Sequence, residues 1–305
     1  RLAWLTGFTG SAGLAVILHD KAALFVDGRY TLQVQKQADP EIYEFCRISD
    51  DPPSCWIEKH VRAGSRIGYD PWLHTKSAFM PYEEKTRAAK IELIQVETNP
   101  LDEVWDHQPP APLAPVYPHP VDIAGRAASE KISETAAVVR GHGANAAVLT
   151  APDSIAWLLN IRGGDLPNTP VALGFAILKG SGSVDLFMDA RKLPLETIKM
   201  FGKDVSLHSA NEFGVALAKL GTAGTPVLVA PTTAPIWVHN QLEAAGAEIV
   251  LKEDPCVLPK ACKNTVEIQG VRSAHIRDGA ALCSFLAWLS EAGPTGGVDE
   301  LLAVD

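Results

Sequence analysis

Positively charged residues are in the minority in this sequence. It has 27 lysines and arginines against 36 aspartates and glutamates, a formal net charge of −9, and no basic cluster offsets that excess locally. A protein that binds nucleic acid needs a concentrated basic face to meet the phosphate backbone. The sequence therefore predicts no nucleic-acid partner.

Long apolar runs are missing as well. A membrane-spanning helix needs about eighteen or more apolar residues in succession, and no stretch here has them. Nor is there a charged, apolar and small-residue leader of the kind that directs secretion. The five cysteines include no C-x-x-C pair, which disfavours a disulfide framework and a zinc site; they are Cys46, Cys55, Cys256, Cys262 and Cys283. We expect a cytoplasmic protein with reduced thiols and no membrane contact.

The histidines lack the spacing of a metal site. None of the nine stands one helical turn from another, the arrangement in which two histidines and a nearby carboxylate hold a metal. Isolated histidines such as His74, His142 and His239 are then interpreted as surface or structural residues. The sequence predicts no metal site in this chain.

What the sequence does contain is a repeat. "RLAWLTGFTG" at the start is echoed by "SIAWLLNIRG" half-way along, and "ALFVDGRY" is echoed by "DLFMDARK". Two later pairs follow in the same order, "RIGYDP" with "VLVAP" and "ETNP" with "KEDP". Because the order is kept, we interpret the echoes as two copies of one domain.

Both copies alternate short apolar runs with amphipathic segments. "LAVIL", "ALFV", "ALGFAIL" and "PVLVA" have the length of strands, whereas "YTLQVQKQA", "SAFMPYEEKTRAAK", "NEFGVALAKL" and "APIWVHNQLEAAG" each have one apolar face. This alternation predicts an α/β fold in which helices cover a mixed sheet. Trp4 and Trp157 hold equivalent places in the repeat, so we expect both to be buried.

Prolines mark the division between the copies. The segment "DHQPPAPLAPVYPHPVD" cannot continue a helix or a central strand, because proline lacks the backbone donor and fixes φ. We therefore predict domains at residues 1–120 and 121–257. The first copy is expected to lack a strand-and-helix unit that stands before the repeat in the second.

A different pattern begins after the second copy. Asn264 is a plausible N-cap with Glu267 at the third helical position, and apolar residues recur at helical spacing as far as Ala292. One long helix is predicted there. Residues 258–305 would open a third domain, and we expect the natural chain to continue past Asp305.

Three polar segments are candidates for function. "GFTGSAG" has neither the spacing of a dinucleotide-binding loop nor that of a nucleophile elbow, so a tight glycine-rich turn is favoured. In "VDGRY", Asp27 and Arg29 follow a strand, but their echo in the second copy favours a structural role. In "NIRGGD", Arg162 and Asp165 lie in a glycine-rich loop that could face a partner domain, and an ordinary solvated loop remains the alternative.

Taken together, these motifs resemble one family. "WLTGFTGSAG" and "ALFVDGRYTLQ", then "IAWLLNIRGGDLPNTPV" and "KNTVEIQGVRSAHIRDGAAL", closely resemble the three-domain form of aminopeptidase P, the cytosolic Xaa-Pro aminopeptidase of the M24 metallopeptidases. The resemblance implies two creatinase/prolidase-type N-terminal domains followed by the first helices of a pita-bread catalytic domain. Prolidase, creatinase and the short bacterial aminopeptidase P have one such N-terminal domain, so the duplication favours the long form.

The same resemblance implies a reaction. In the family, a pair of divalent metals, usually manganese, activates a water that attacks the bond between an N-terminal residue and proline. The family's ligands, two aspartates, a histidine and two glutamates, fall beyond Asp305, so this chain is expected to hold no metal and to be catalytically silent. The implied partners are proline-containing peptides, the protein's own catalytic domain and a second copy in a homodimer. Arg162, Asp165 and Arg29 are the candidate substrate-binding or interface residues.

Two other interpretations stay open at this stage. A pita-bread protein that has lost its ligands acts as a binding or chaperone module, and an enzyme like creatine amidinohydrolase shares the N-terminal domain. The duplication weakens the second of these. The sequence that follows Asp305 would separate all three.

Overall fold

The computed structural model describes residues 1–304. They form two compact units. The first consists of Arg1–Pro112, Leu217–Thr222 and Ala230–Ile249, and the second consists of Leu113–Ala216, Ala223–Val229 and the residues from Val250 onward. Among the described helices, none is both long enough and apolar enough to cross a bilayer.

The first part of the chain alternates strands and helices. Its elements are α1 (Leu2–Thr6), β1 (Gly13–Ile17), β2 (Ala22–Val26), α2 (Thr31–Gln37), β3 (Tyr43–Arg47), α3 (Pro53–His60), β4 (Arg66–Tyr69), α4 (Lys76–Ala88), β5 (Glu92–Gln95) and α5 (Pro100–Val104). β2 pairs antiparallel with β1 and parallel with β3. β4 and β5 form a separate parallel pair.

Strand β2 shows why this part is layered. All five of its residues are buried, and successive side chains point to opposite faces of the sheet. Leu24 belongs to one buried cluster with Phe8 and Val34, and Phe25 belongs to another with Trp56. A strand covered on both faces is the signature of α/β layering, and the predicted fold class is confirmed.

The second part of the chain repeats and extends this order. Its elements are β6 (Tyr117–Pro118), α6 (Val121–Ala124), α7 (Ala128–Gly141), β7 (Ala146–Leu149), α8 (Pro152–Leu159), β8 (Ile161–Arg162), β9 (Phe175–Lys179), β10 (Val184–Phe187), α9 (Leu195–Met200), β11 (Val205–His208), α10 (Phe213–Thr222), β12 (Val227–Val229), α11 (Ile236–Ala244), β13 (Ile249–Leu251), α12 (Val257–Ala261), α13 (Thr265–Ala292) and α14 (Glu300–Val304). The strands predicted from "ALGFAIL" and "PVLVA" are β9 and β12.

The larger sheet has the strand order β11-β10-β9-β7-β12-β13. β10 runs parallel to β11 and antiparallel to β9, as β2 does with β3 and β1. β7 runs antiparallel to β9 and parallel to β12, so it connects two parts of a mixed sheet. Among residues 1–304, no strand holds the corresponding place beside β1.

The repeated sequences form repeated structures. α1 ends at Gly7 with φ 77°, and α8 ends at Asn160 with φ 52°, both in the left-handed region. Glycine adopts this conformation freely and asparagine tolerates it better than most residues. "TGF" and "LNI" therefore close the two helices in the same way.

A second shared structure follows β2 and β10. Each strand runs into a 3-10 turn that begins with an aspartate. Asp27 Oδ1 accepts hydrogen bonds from the backbone N and the Nε of Arg29 at 3.0 and 2.8 Å, and Asp189 Oδ1 does the same with Arg191 at 2.9 and 3.0 Å. The turn is thus stabilised by its own side chains in both copies.

The two equivalent tryptophans differ in burial. Trp157 is 8% exposed and lies in the core of the second unit. Trp4 is 44% exposed, so the expectation that it is buried is wrong. Its indole stacks on Trp105 with ring centroids 5.3 Å apart. Trp157 is covered because α8 packs against α7, whereas α1 makes its main contacts with β1.

Helices α4 and α11 begin with a reciprocal pair of hydrogen bonds inside the first unit. The backbone N of Ser77 donates to the carbonyl of Pro231 at 2.9 Å, and the backbone N of Trp237 donates to the carbonyl of Pro71 at 3.1 Å. The first N–H groups of a helix have no partner within it. Each helix therefore caps the other from the proline that precedes it.

The same contact includes a backbone bridge and an aromatic stack. Thr75 and Pro235 form an isolated antiparallel bridge, and the backbone N of Ile236 donates to the carbonyl of His74 at 2.8 Å. The indoles of Trp72 and Trp237 stack with centroids 4.1 Å apart. The prolines that end "RIGYDP" and "VLVAP" therefore have the same role, because the carbonyl of each accepts a hydrogen bond from the first turn of the other helix.

The long helix is the clearest confirmed element. α13 begins after Asn264 and ends at Ala292, and a capping box links the Asn264 and Glu267 side chains to each other's backbone. None of its residues is buried in this chain. The apolar stripe that predicted it therefore remains uncovered by residues 1–304.

Candidate functional site

Strand β8 and the loop after it carry two of the predicted site residues, Arg162 and Asp165, and Asp165 is the more deeply buried. Its Oδ1 accepts a hydrogen bond from Ala114 N at 3.2 Å, and its Oδ2 accepts one from Leu173 N at 2.7 Å. The Lys192 ammonium forms an ion pair with the same carboxylate, and both side chains are almost fully buried. A carboxylate with three donors is held in place by its own domain.

Lys192 completes this arrangement from the end of the 3-10 turn after β10. Besides Asp165, its Nζ donates to the carbonyl of Leu173 at 2.7 Å. The first unit ties its corresponding loop and turn differently, through a hydrogen bond of 2.7 Å between Ser11 Oγ and Tyr30 Oη. The second copy thus has a buried ion pair where the first has an exposed neutral contact.

Arg162 is half-buried on the short strand β8, opposite Tyr117. One guanidinium nitrogen, Nη1, donates to the carbonyls of Ile161 at 2.8 Å and Ala156 at 3.4 Å. Among residues 1–304, no carboxylate lies within 4 Å of the guanidinium. Burial lowers the pKa of Arg162, and the nearby Tyr117 and Glu267 act in the opposite sense. The remaining donors of a partly desolvated guanidinium are suited to a carboxylate.

Lys131 supports the same region from α7. Its Nζ donates to the carbonyl of Trp157 at 2.8 Å and to Asn160 Oδ1 at 2.6 Å, and it lies 4.7 Å from the centre of the Trp157 ring. Burial lowers the pKa of Lys131 to about 8, against the smaller opposite effect of Glu267. The lysine therefore stabilises the C-terminal end of α8 and the left-handed Asn160.

A histidine, His119, lies near Arg162 and Lys131. Burial lowers the pKa of His119, and the nearby Arg162 and Lys131 lower it further. The backbone N of His119 donates to the carbonyl of Asn160 at 2.7 Å, which fixes the segment that carries it against α8. Near neutral pH the positive charge at this place therefore comes from Arg162 and Lys131.

Arg29 lies in the first unit and is exposed. Its Nε is 2.8 Å from Asp27 Oδ1, and its guanidinium carbon lies 5.3 Å from the centre of the Tyr30 ring. The Asp27 carboxylate, which accepts hydrogen bonds from Arg29, has a lowered pKa. Of the three predicted residues, Arg162 lies on β8 and Asp165 in the loop that follows it, whereas Arg29 lies on a separate 3-10 turn.

The described residues do not form a metal centre. In residues 1–304, no three histidine, cysteine, aspartate or glutamate side chains come together in a way that could hold an ion. The donor set therefore does not fit a divalent metal within this part of the protein.

Sequence reasoning missed Lys131, Lys192 and Asn160. Lys192 stands at the end of "DLFMDARK", so the echo of "VDGRY" contained it, but Tyr30 occupies the matching place and gives no hint of an ion pair. Lys131 belongs to an amphipathic helix, where a lysine is usually solvated. Its burial depends on the position of α8, which is a tertiary feature.

The tandem α/β domains define the class of this protein. It belongs to the creatinase/prolidase N-terminal domain family, with one family model matching residues 1–104 and a second matching residues 107–267. The family therefore accounts for both copies of the repeat.

Comparison with individual proteins narrows the class. Aminopeptidase P1 of Lotus japonicus is 32% identical over 333 aligned residues, covering 95% of this chain and 50% of that protein. Xaa-Pro aminopeptidase ApepP of Drosophila melanogaster is 33% identical over 313 residues, covering 100% of this chain and 50% of that protein. These matches confirm the resemblance to the aminopeptidase P group.

A solved structure matches nearly the whole chain. The X-prolyl aminopeptidase of Caenorhabditis elegans, described as a cytosolic enzyme with a di-nuclear active site, superposes with a TM-score of 0.89 at 29% identity. The match covers 97% of this chain and 49% of that one. The chain thus spans about half the length of the relatives it matches.

Proposed function

We propose that this chain is the non-catalytic N-terminal region of a metal-dependent Xaa-Pro aminopeptidase, which removes the first residue from peptides with proline in second position. The observation that carries the proposal is the superposition of 97% of the chain on half of an X-prolyl aminopeptidase, with a TM-score of 0.89. The two family matches meet between residues 104 and 107, which supports a division between the copies in the proline-rich segment. We retain the proposed domains at 1–120, 121–257 and 258–305.

The metal ions of the proposed enzyme belong to its other half. Two divalent ions, proposed to be manganese, would supply an activated water for attack on the peptide bond. The proposal that the ligands lie outside this chain is supported by the lack of a cluster of three or more His, Cys, Asp or Glu side chains in residues 1–304. The di-nuclear site described for the C. elegans enzyme supports the number of ions.

The proposed setting is the cytoplasm, with proline-containing peptides as substrates and a homodimer as the assembly. The C. elegans enzyme is described as cytosolic, which supports the compartment. The excess of acidic residues gives no electrostatic attraction to nucleic acid or to an anionic membrane surface.

Within the proposed enzyme, the N-terminal domains restrict access to the reaction site. An enzyme that accepts only the end of a peptide needs a surface that excludes longer or internal segments. Arg162 is our candidate for this surface, because its guanidinium is half-buried and lacks a carboxylate partner among the described residues. Asp165 is proposed to hold the loop that presents it, and Arg29 to brace its own turn.

The proposal for Arg162 is tested by kinetics on the full-length protein. Arg162→Ala is expected to lower kcat/KM for an Xaa-Pro peptide roughly tenfold, the loss for one charge-assisted hydrogen bond of about 1.5 kcal/mol. Arg191→Ala, which removes an exposed arginine of the same unit, is the control and should leave kcat/KM unchanged. An Arg162→Ala protein that unfolds early but keeps its activity per folded molecule would show that Arg162 is structural.

The proposed function itself is tested with matched tripeptides. Full-length protein loaded with Mn²⁺ should release the first residue from Ala-Pro-Ala and should not release it from Ala-Ala-Ala. A full-length protein that binds peptides without hydrolysing them would favour a binding or chaperone module. Hydrolysis of creatine instead would favour an amidinohydrolase.

A further inference from the structure

Helix α13 is attached to the rest of the second unit near its first turn. None of the 28 residues of the helix is buried, and its main packing contact with an earlier element is with the short helix α6. A helix of this length with uncovered sides takes its direction from the contacts at its attached end. Among them is a hydrogen bond from the Asn264 side chain to α6.

The Asn264 side chain uses both ends of its amide. Its Oδ1 accepts hydrogen bonds from the backbone N of Val266 and of Glu267, each at 3.0 Å, and so caps α13. Its Nδ2 donates to the carbonyl of Ala124, the last residue of α6, at 2.8 Å. One planar group therefore connects the beginning of α13 to the end of α6.

Gly125 leaves the space that this connection needs. It ends α6 in the left-handed region with φ 71°, and its backbone N donates to the carbonyl of Val121 at 2.7 Å. A Cβ at this position would lie 2.3 Å from Asn264 Oδ1 and 2.7 Å from Nδ2. A side chain at this position would force the Asn264 amide to shift.

We propose that Asn264 and Gly125 form a joint that fixes the direction of α13 relative to α6. Resting on the proposed function, this makes Asn264 a positioning residue, because the helix carries that direction into the catalytic half of the complete enzyme. Capping and tethering are separate tasks of the same side chain. The Oδ1 atom caps the helix, and the Nδ2 atom ties it to α6.

Two pairs of variants separate these tasks. Asn264→Asp keeps an oxygen for the cap but replaces the donor to Ala124 with a second oxygen, whereas Asn264→Ala removes both. Gly125→Ala crowds the amide, and Gly143→Ala introduces the same left-handed strain at φ 77°, with no atom within 4 Å of the new Cβ. Gly143→Ala is therefore the matched control for Gly125→Ala.

The direction of α13 is measured in the 305-residue chain by electron–electron distance spectroscopy. Spin labels are placed at Cys283 on α13 and at Ser133→Cys on α7, both exposed positions, with Cys55 and Cys262 replaced by serine. The unmodified joint and Gly143→Ala should give one narrow distance distribution. Asn264→Asp and Gly125→Ala should at least double its width, while Asn264→Asp keeps the thermal midpoint and Asn264→Ala lowers it. If the distance distributions of Asn264→Asp and Gly125→Ala are as narrow as that of the parent, Asn264 and Gly125 do not fix the direction of α13.

The consequence for catalysis is measured separately in the full-length protein. Asn264→Asp should lower kcat/KM for Ala-Pro-Ala at least fivefold at unchanged metal content, and Gly143→Ala should not. If the distance distribution broadens but kcat/KM is unchanged, the joint fixes the direction of α13 without positioning the catalytic half. If the parent full-length protein hydrolyses no Xaa-Pro peptide, the proposed function fails, and the distance measurement alone decides the joint.

Discussion

At the scale of single residues, the second unit contains three cationic side chains that are wholly or partly buried. Lys192 is paired with Asp165, and Lys131 donates to Trp157 and Asn160. Within residues 1–304, the hydrogen bonds of the Arg162 guanidinium go only to backbone carbonyls. Removing a charge from water is costly unless other groups replace the lost hydration. The three residues differ in how fully protein groups replace their lost hydration, and the replacement is least complete for Arg162.

Lys131 makes stability depend on pH in a defined direction. Its pKa is about 8 in the folded chain and near the ordinary 10.5 when the chain unfolds. Between those values the unfolded state binds more protons, so the free energy of unfolding rises with pH through this window and is constant below it. The uncharged amine still donates to its two acceptors, so the fold keeps these contacts above pH 8.

The measurement is urea unfolding at pH 6, 7, 8.5 and 9.5 for the parent chain and for Lys131→Met. The parent should gain stability relative to Lys131→Met as the pH rises above 8, and the difference should stay constant below pH 8. Parallel pH profiles for the two proteins would contradict a lowered pKa at Lys131.

Predictions about single residues were right where a local backbone pattern determines the structure. They were wrong where tertiary packing determines burial. Asn264 was predicted as an N-cap with Glu267 at the third helical position, and these two residues form the capping box of α13. The repeat predicted that Trp4 and Trp157 are both buried, but only Trp157 is. Burial is set by what lies opposite a side chain, and the sequence of the repeat does not contain that information.

At the scale of elements, the reciprocal capping of α4 and α11 gives a direct test. Ser77→Pro keeps α4, because proline is tolerated in the first turn of a helix, but it removes the N–H that donates to Pro231. Losing this bond should cost about 1 kcal/mol in urea unfolding. Hydrogen exchange at the backbone N of Ile236 and Trp237 should also become faster, since both belong to the same contact.

Ser129→Pro is the matched control for this variant. Ser129 is exposed and holds the same second position in α7, and its N–H has no hydrogen-bond partner among the described residues. It carries the same proline strain without loss of a bond. Equal stability and equal exchange in the two variants would show that the α4 and α11 contact contributes nothing.

Elements with strong patterns were predicted and weakly patterned ones were missed. α13 has an N-cap, a capping box and a long apolar stripe, and each of these is visible in the sequence. β3 and β11 were missed, because "YEFCR" and "VSLH" contain no apolar run longer than two residues. Both lie at the edge of their sheets, where a strand pairs with one neighbour only.

At the scale of the whole molecule, the family was predicted from the order of the sequence motifs. Tandem family matches and a superposition over 97% of the chain bear this out. The candidate site was less accessible to prediction. Arg162 and Asp165 were singled out by their glycine-rich loop, but the burial of Asp165 and its pairing with Lys192 depend on how β8, β9 and β10 come together.

We propose above all that this chain supports a metal-dependent reaction without holding the metal. This proposal is tested most directly by calorimetric titration of Mn²⁺ into the 305-residue chain and into the full-length protein, with release of alanine from Ala-Pro-Ala followed in the same samples. We predict no tight binding and no release for the 305-residue chain, and two bound ions with release for the full-length protein. Tight stoichiometric binding of Mn²⁺ by the 305-residue chain, or release of alanine by it, would contradict the account.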